Sequence, residues 1–201
     1  MTAADRTVYT LGPDGTDAHA EATRLFDAVA VAPTFEKAVC MAHAARAYAL
    51  VATGFVERAG GAITDLWVNL HFRNLSRMRV VGVWESPTKL MCLATRRPTL
   101  DLGDVQSVAL HPATEVFAAQ FVPCAERRYV DAKPLAVQQV SDGVAEACIG
   151  SVDVVSAAGL TVRKEFQPSM VWCLYQAIEA GELTDSRTMT NHPNSLLRSA
   201  A

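Results

Sequence analysis

Short apolar runs alternate with segments of helical periodicity through most of this chain, and that alternation restricts the fold more than any other feature of the sequence. Residues 7–12 (TVYTLG) are β-rich and close on Gly12-Pro13-Asp14-Gly15, a turn signature. From Asp17 onward Ala18, Ala22, Leu25, Phe26 and Val29 recur at helical spacing, with Thr16 or Asp17 placed to cap the exposed amides. Residues 29–32 read as the next strand. Phe35, Val39, Ala42 and Ala45 mark the next helix, and residues 48–52 (YALVA) form a run apolar enough to be a strand buried on both faces. Gly60-Gly61 reads as the opening of a helix with Ile63, Leu66, Trp67 and Leu70 on one side. Strands and helices in this order call for right-handed crossovers and a mostly parallel sheet, so the class is α/β.

The rhythm breaks at residues 78–84 and 89–95, two extended segments joined by Glu85-Ser86-Pro87-Thr88 with no helix between them, which reads as a crossing between lobes. The alternation resumes with strands at 107–111, near 127–130 and at 147–151, and helices near 113–122 and 134–140. Two further extended runs, 160–166 and 170–175, carry the chain back. The expected division is a first lobe of residues 1–87 and 167–180, a second of 88–166, and a polar tail or arm at 181–201.

Half of the 201 residues are apolar and 19% are charged, enough apolar surface to offset chain entropy in a folded globular protein. A formal charge of -3 gives no overall attraction to phosphate backbones, which favours a small molecule over nucleic acid as the partner. Cys40, Cys92, Cys124, Cys148 and Cys173 stand singly and read as buried thiols. Residues 1–7 lack a basic start followed by an apolar stretch, and no uninterrupted apolar run of about 18 residues occurs, so the expectation is a cytoplasmic protein without a membrane partner. No His/Cys cluster or H-E-x-x-H pattern supports a metal, and His19 and His43 are far apart. No dinucleotide fingerprint, phosphate-loop lysine or G-x-S-x-G elbow is present, so no cofactor is expected. The pairs Arg96-Arg97 and Arg127-Arg128 read as exposed, and Glu57 and Arg58 as solvated.

In open α/β sheets, ligands collect beyond the carboxyl ends of strands, where helix N-termini present unpaired amides. Two places fit: Gly12-Pro13-Asp14-Gly15-Thr16 before the first helix, and His111-Pro112-Ala113-Thr114 before a later one. Asp14, Gly15, Thr16 and Thr114 are candidate substrate contacts there. His111 is a candidate proton donor or anion contact, and Thr53, at another strand end, a candidate hydrogen-bonding hydroxyl.

The stretch Tyr9-Thr10-Leu11-Gly12-Pro13-Asp14-Gly15-Thr16 resembles the Y-x-L-G-P-x-G-T opening of prephenate dehydratases. His111-Pro112 and Ala157-Ala158-Gly159-Leu160 are similar to two later segments of that family, in the right order. The resemblance spans residues 8–175 and includes no ACT regulatory domain. It implies a two-lobed α/β fold, prephenate-dehydratase-like and periplasmic-binding-protein-like, with an inter-lobe cleft, no cofactor, and a homodimer or higher homo-oligomer. Two departures redirect the chemistry. Where the family's catalytic Thr-Arg-Phe belongs, this chain reads Gln167-Pro168-Ser169-Met170-Val171-Trp172, and Thr53-Gly54-Phe55-Val56-Glu57 replaces the family's Glu-Asn-Ser. The non-aromatising prephenate decarboxylases of natural-product pathways of the bacilysin type lack both signatures, and their neighbouring Met and Trp resemble Met170 and Trp172, which are expected to line the cleft. The resemblance therefore implies a cofactor-independent lyase with His111 and Thr53 as its catalytic candidates. Two alternatives stand beside it: a dehydratase whose acid has moved to His111 or Thr53, and a non-catalytic sensor or carrier of small anions.

Overall fold

A computed structural model describes residues 7–59 and 62–178. The expected tail at 181–201 and the Gly60-Gly61 pair lie outside the described residues. The described chain divides into two compact units, one formed by residues 7–54, Asp65–Ser86 and 170–178, the other by Phe55–Thr64 and Pro87–Ser169. The sequence-based division keeps residues 55–64 with the first lobe, whereas their contacts lie with the second.

The first unit is built on a five-stranded sheet of β1 (Thr7–Leu11), β2 (Ala28–Ala32), β3 (Tyr48–Ala52), β6 (Met78–Pro87) and β12 (Ser169–Ala177), in the order β2-β1-β3-β12-β6. β1 runs parallel to β2 and β3, while the returning β12 is antiparallel to β3, with Trp172 opposite Ala52. Helices α1 (Asp17–Leu25), α2 (Phe35–Ala45) and α3 (Trp67–Asn74) belong to this unit. Thr16 caps α1 by accepting from the His19 amide, and Thr34 caps α2 by accepting from that of Lys37. Every residue of β3 from Ala49 to Ala52 is buried, as a strand covered on both faces must be.

The second unit carries β7 (Met91–Thr95), β8 (Ser107–Leu110), β9 (Glu126–Tyr129), β10 (Ala147–Ser151) and β11 (Thr161–Phe166) in the order β11-β7-β10-β8-β9. With it go α4 (Glu115–Phe121), α5 (Lys133–Ser141) and α6 (Val152–Ala157). Period-two alternation sorts its core. Met91, Leu93, Val108, Leu110 and Ile149 face Ala118, Val122 and the rings of Phe117, Phe121 and Phe166. Cys92, Ala94, Ala109 and Cys148 face Ala136, Val137 and Val140 of α5 and Val155 of α6. One face is filled by large side chains, the other by small ones that let helices approach closely.

Several expectations change. Both sheets are mixed rather than mostly parallel, because β12 pairs antiparallel with β3, and β7 does so with β10 and β11. The segment read as a helix from Gly60-Gly61 is a strand, β5 (Ala62–Leu66), paired with β4 (Val56–Ala59) in a separate two-stranded ribbon, and the helix begins at Trp67. Ile63, placed on a buried helix side by its spacing, is 57% exposed. Only Cys92, Cys148 and Cys173 are buried; Cys40 is half-buried and Cys124 exposed.

Candidate functional site

In the first unit, two loops follow neighbouring parallel strands and so emerge at one edge of the sheet. After β1, Gly12 lies so close to β2 that a Cβ there would stand 2.9 Å from Val31 Cβ, which restricts the position to glycine. Gly15 adopts φ +85°, turning the chain into α1. The Gly15 amide, expected to face a bound anion, donates to Nδ1 of His19 at 3.2 Å. That bond places the His19 ring proton on Nε2, which faces Asp14 Oδ1 at 3.4 Å. The Thr16 hydroxyl accepts from the His19 amide and donates to the Leu11 carbonyl at 3.0 Å. Asp14 is exposed. The loop is thus closed on itself by a histidine one helical turn away.

After β3, the Thr53 amide and hydroxyl both donate to the Val171 carbonyl, at 2.9 and 3.1 Å. Met170 lies beside Gly54, its sulfur 3.2 Å from where a Cβ of Gly54 would sit. Trp172 is 2% exposed, and its indole N–H donates to Ser86 Oγ at 2.9 Å. Trp172 is therefore a core residue bonded through its polar atom, while Thr53 and Met170 lie at the sheet edge above it.

In the second unit, β8 and β9 run parallel with Leu110 opposite Tyr129, so the residues that follow them emerge side by side. His111 Nδ1 accepts from the Ala113 amide at 3.2 Å, fixing the neutral ring with its proton on Nε2. Buried Thr114 donates both its amide, at 2.9 Å, and its hydroxyl, at 2.7 Å, to the His111 carbonyl. Burial lowers the His111 pKa below its ordinary value; the Lys133 and Arg58 cations push the same way, and Asp131 opposes them.

That electrostatic neighbourhood contains residues the sequence did not single out. Arg58, expected to be solvated, is half-buried with its guanidinium carbon 5.2 Å from the centre of the Tyr129 ring. The Tyr129 hydroxyl donates to one oxygen of Glu115 at 3.0 Å, and Arg127 Nε to the other at 3.0 Å. Arg127 also donates to the carbonyls of Val122, Pro123 and Ala125, so it holds the turn before β9 instead of facing solvent. Asp131 and Lys133, just past a strand end, were open to the rule that located His111. Arg58 carried no such signal.

No family model matches the chain, and no curated protein matches it. Solved structures do. The prephenate dehydratase of Arthrobacter aurescens in complex with L-Phe superposes with a TM-score of 0.56 at 20% identity, covering 87% of this chain and 60% of that one. The prephenate dehydratase of Staphylococcus aureus gives 0.53 at 14% identity over 85% of this chain and 66% of that one. This chain has the prephenate dehydratase fold. The VFT2 domain of Bordetella pertussis BvgS is also similar, with a TM-score of 0.48 at 16% identity, covering 86% of this chain and 80% of that one. The chain spans 60% and 66% of the length of the two dehydratase structures. Within the dehydratase fold, the described residues contain no group of three or more His, Cys, Asp or Glu side chains arranged to hold a metal ion. None of their helices is long and apolar enough to cross a membrane.

Proposed function

We propose that this protein is a cofactor-independent lyase that decarboxylates prephenate, or a close relative, without aromatising its ring, in a natural-product pathway. The observation that carries this reading is the segment entering β12, Gln167-Pro168-Ser169-Met170, which holds neither a threonine nor an arginine in a chain with the dehydratase fold. A dehydratase must protonate the ring hydroxyl as carbon dioxide leaves. Here the two side chains able to replace that acid are otherwise engaged. The Thr53 hydroxyl proton is directed to the Val171 carbonyl. His111 favours its neutral form, whose Nε2–H gives a hydrogen bond but is too weak an acid to expel hydroxide.

Decarboxylation needs less. The bond from the ring to its carboxylate carbon breaks, carbon dioxide departs, the electron pair shifts through the ring alkene, and one proton adds to the far alkene carbon. The hydroxyl stays. His111 and the cations beside it hold the substrate anion, and solvent supplies the proton. Incubation with prephenate in heavy water tests this. The expected product has lost carbon dioxide, retains the ring hydroxyl and carries one ring deuterium. Phenylpyruvate would identify a dehydratase, and prephenate recovered intact after tight binding would identify a non-catalytic binder. Either result overturns the proposal.

A further inference from the structure

We infer that two copies of this chain associate at the outer edge of the first unit's sheet: β6 pairs antiparallel with β6 of the partner about a two-fold axis at Gly82, and the two α3 helices meet along one apolar flank. Among the described residues β6 is an edge of its sheet, with β12 as its neighbour, and it is the longest strand, Met78–Pro87. An edge of that length presents a row of backbone donors and acceptors on its outer side, and Val83 on it is 56% exposed. The helix beside it looks the same way. Val68, Phe72 and Leu75 are 38%, 64% and 55% exposed and, at helical spacing, form one stripe along α3. On the opposite flank Arg73 donates to Glu36 Oε2 of α2 at 3.0 Å, and α2 packs on β1 and β3. On the inner side the His71 ring meets the Tyr175 hydroxyl of β12 at 3.0 Å. Across the sheet, then, α2 covers β1 and β3 and α3 covers β12, which turns the apolar stripe toward the β6 edge. Large apolar side chains gathered on one such flank mark an association surface.

The occupant is read from β6 itself. Antiparallel pairing about Gly82 sets Val81 opposite the partner's Val83 and Arg79 opposite the partner's Glu85, and the axis repeats each of these contacts. Parallel pairing in register would set like charge against like. Arg79 and Glu85 keep their contacts within the chain, among them the bond from Arg79 to Gln176 Oε1 at 3.2 Å. A guanidinium has several N–H groups and a carboxylate several acceptor sites, so the register asks only that opposite charges lie opposite each other. A strand pair alone buries too little for a stable dimer; the α3 flanks, meeting across the same axis, supply its apolar centre.

Sedimentation equilibrium of the full chain over a range of concentrations measures the dimer dissociation constant, and circular dichroism verifies that each variant is folded. Arg79→Glu puts like charges opposite each other at two places, and Phe72→Ser removes the exposed ring of the stripe from both copies; each is expected to raise the constant about 30-fold. Val116→Ser, which trims an equally exposed residue of α4, should leave it as in the parent. The deciding variant exchanges the charges, Arg79→Glu with Glu85→Arg, and is expected to restore the parent constant. Within one chain those two positions lie about 20 Å apart along the strand, too far to pair, so restoration comes only from contact between copies. If Arg79→Glu fails to fold, Phe72→Ser decides through the helix flank. A parent that stays monomeric, a dimer indifferent to Phe72→Ser or to Arg79→Glu, or an exchange variant no tighter than Arg79→Glu alone overturns the inference. A monomer whose β6 amides resist hydrogen exchange would show that another part of the same chain covers the edge, and overturns it too.

Discussion

The indole N–H of Trp84 donates to Oε1 of Glu21 at 2.6 Å, joining a buried carboxylate on α1 to a strand 63 residues away. Glu21 is 6% exposed and also accepts from Arg24 at 2.7 and 3.1 Å. Burial alone would raise its pKa, but hydrogen bonds from Arg24, Trp84 and Ser86 together outweigh it and the pKa falls. A folded carboxyl with a depressed pKa adds stability above its unfolded value and loses it as the pH drops through the folded value. Glu21→Gln, which keeps the size but directs an amide at one of these donors, should cost about 2 kcal/mol at neutral pH. Urea denaturation across the acid range should show the parent and variant curves converging as the pH falls below the ordinary carboxylate range. A constant gap would refute the assignment.

His111 makes a complementary prediction. Its folded pKa lies below 6.5, with burial as the main cause and Lys133 and Arg58 as contributors. Its imidazole resonances should therefore titrate with a midpoint under that value, and stability should decline as the pH falls through the midpoint. Lys133→Met removes one repelling cation and should move the midpoint upward. A midpoint that stays in place would mean that Lys133 does not face the ring.

Much of this could be read in the chain before any fold was known. The 48–52 run is apolar without alternation, so a doubly covered strand was the economical reading, and Thr16 had the right chemistry at the right place for a helix cap. Residues 62–66 misled because Ile63, Leu66 and Trp67 satisfy a helical spacing, and only pairing with β4 decides for a strand. The strand-end rule points to His111, and β8 does end one residue before it. Arg58 was out of reach because the ribbon's membership in the second unit depends on contacts distant in sequence. Arg127 was missed for a related reason, its place being set by Glu115 and three turn carbonyls.

The loop glycines should respond differently to alanine. Gly15 at φ +85° has nothing within 4 Å of the point an alanine methyl would occupy, so Gly15→Ala carries only a backbone cost, about 1 kcal/mol. Gly12 has an ordinary φ, but the added methyl would meet Val31 Cβ at 2.9 Å, and Gly12→Ala should cost about 1–3 kcal/mol by separating β1's end from β2. Trimming the neighbour with Val31→Ala should relieve Gly12→Ala and leave Gly15→Ala unchanged. Equal relief of both would contradict this division.

Thiol reactivity should follow placement. Burial pushes the Cys92 thiol up to about 11 and that of Cys148 up to about 12, and it also raises Cys173. Raised, buried thiols offer almost no thiolate to a reagent. A chromogenic disulfide should therefore label Cys124 first, with half-buried Cys40 slower and the remaining three only on unfolding. Cys124→Ser should abolish the fast phase. A fast phase that survives would place a different cysteine at the surface.

The division of the second unit's core into a large-residue face and a small-residue face can be tested at Gly150. It lies in β10, opposite Cys92 of β7 in the central pairing, where a Cβ would stand 2.7 Å from Val137 Cγ2 on α5 and 3.4 Å from Val155 Cγ2 on α6. The first distance is shorter than a carbon contact tolerates, and the obstacle is a branched side chain fixed on a helix. Gly150→Ala must therefore push α5 outward or force Val137 off its rotamer, at about 1–3 kcal/mol. Val137→Ala alone leaves a small void and costs about 1–3 kcal/mol. Made together, the two changes exchange methyl volume across one contact, so the double variant should be more stable than the summed losses by about 1 kcal/mol or more. Denaturant unfolding of the four proteins in the cycle measures that coupling, and additive losses would mean that the helix already stands clear of the strand.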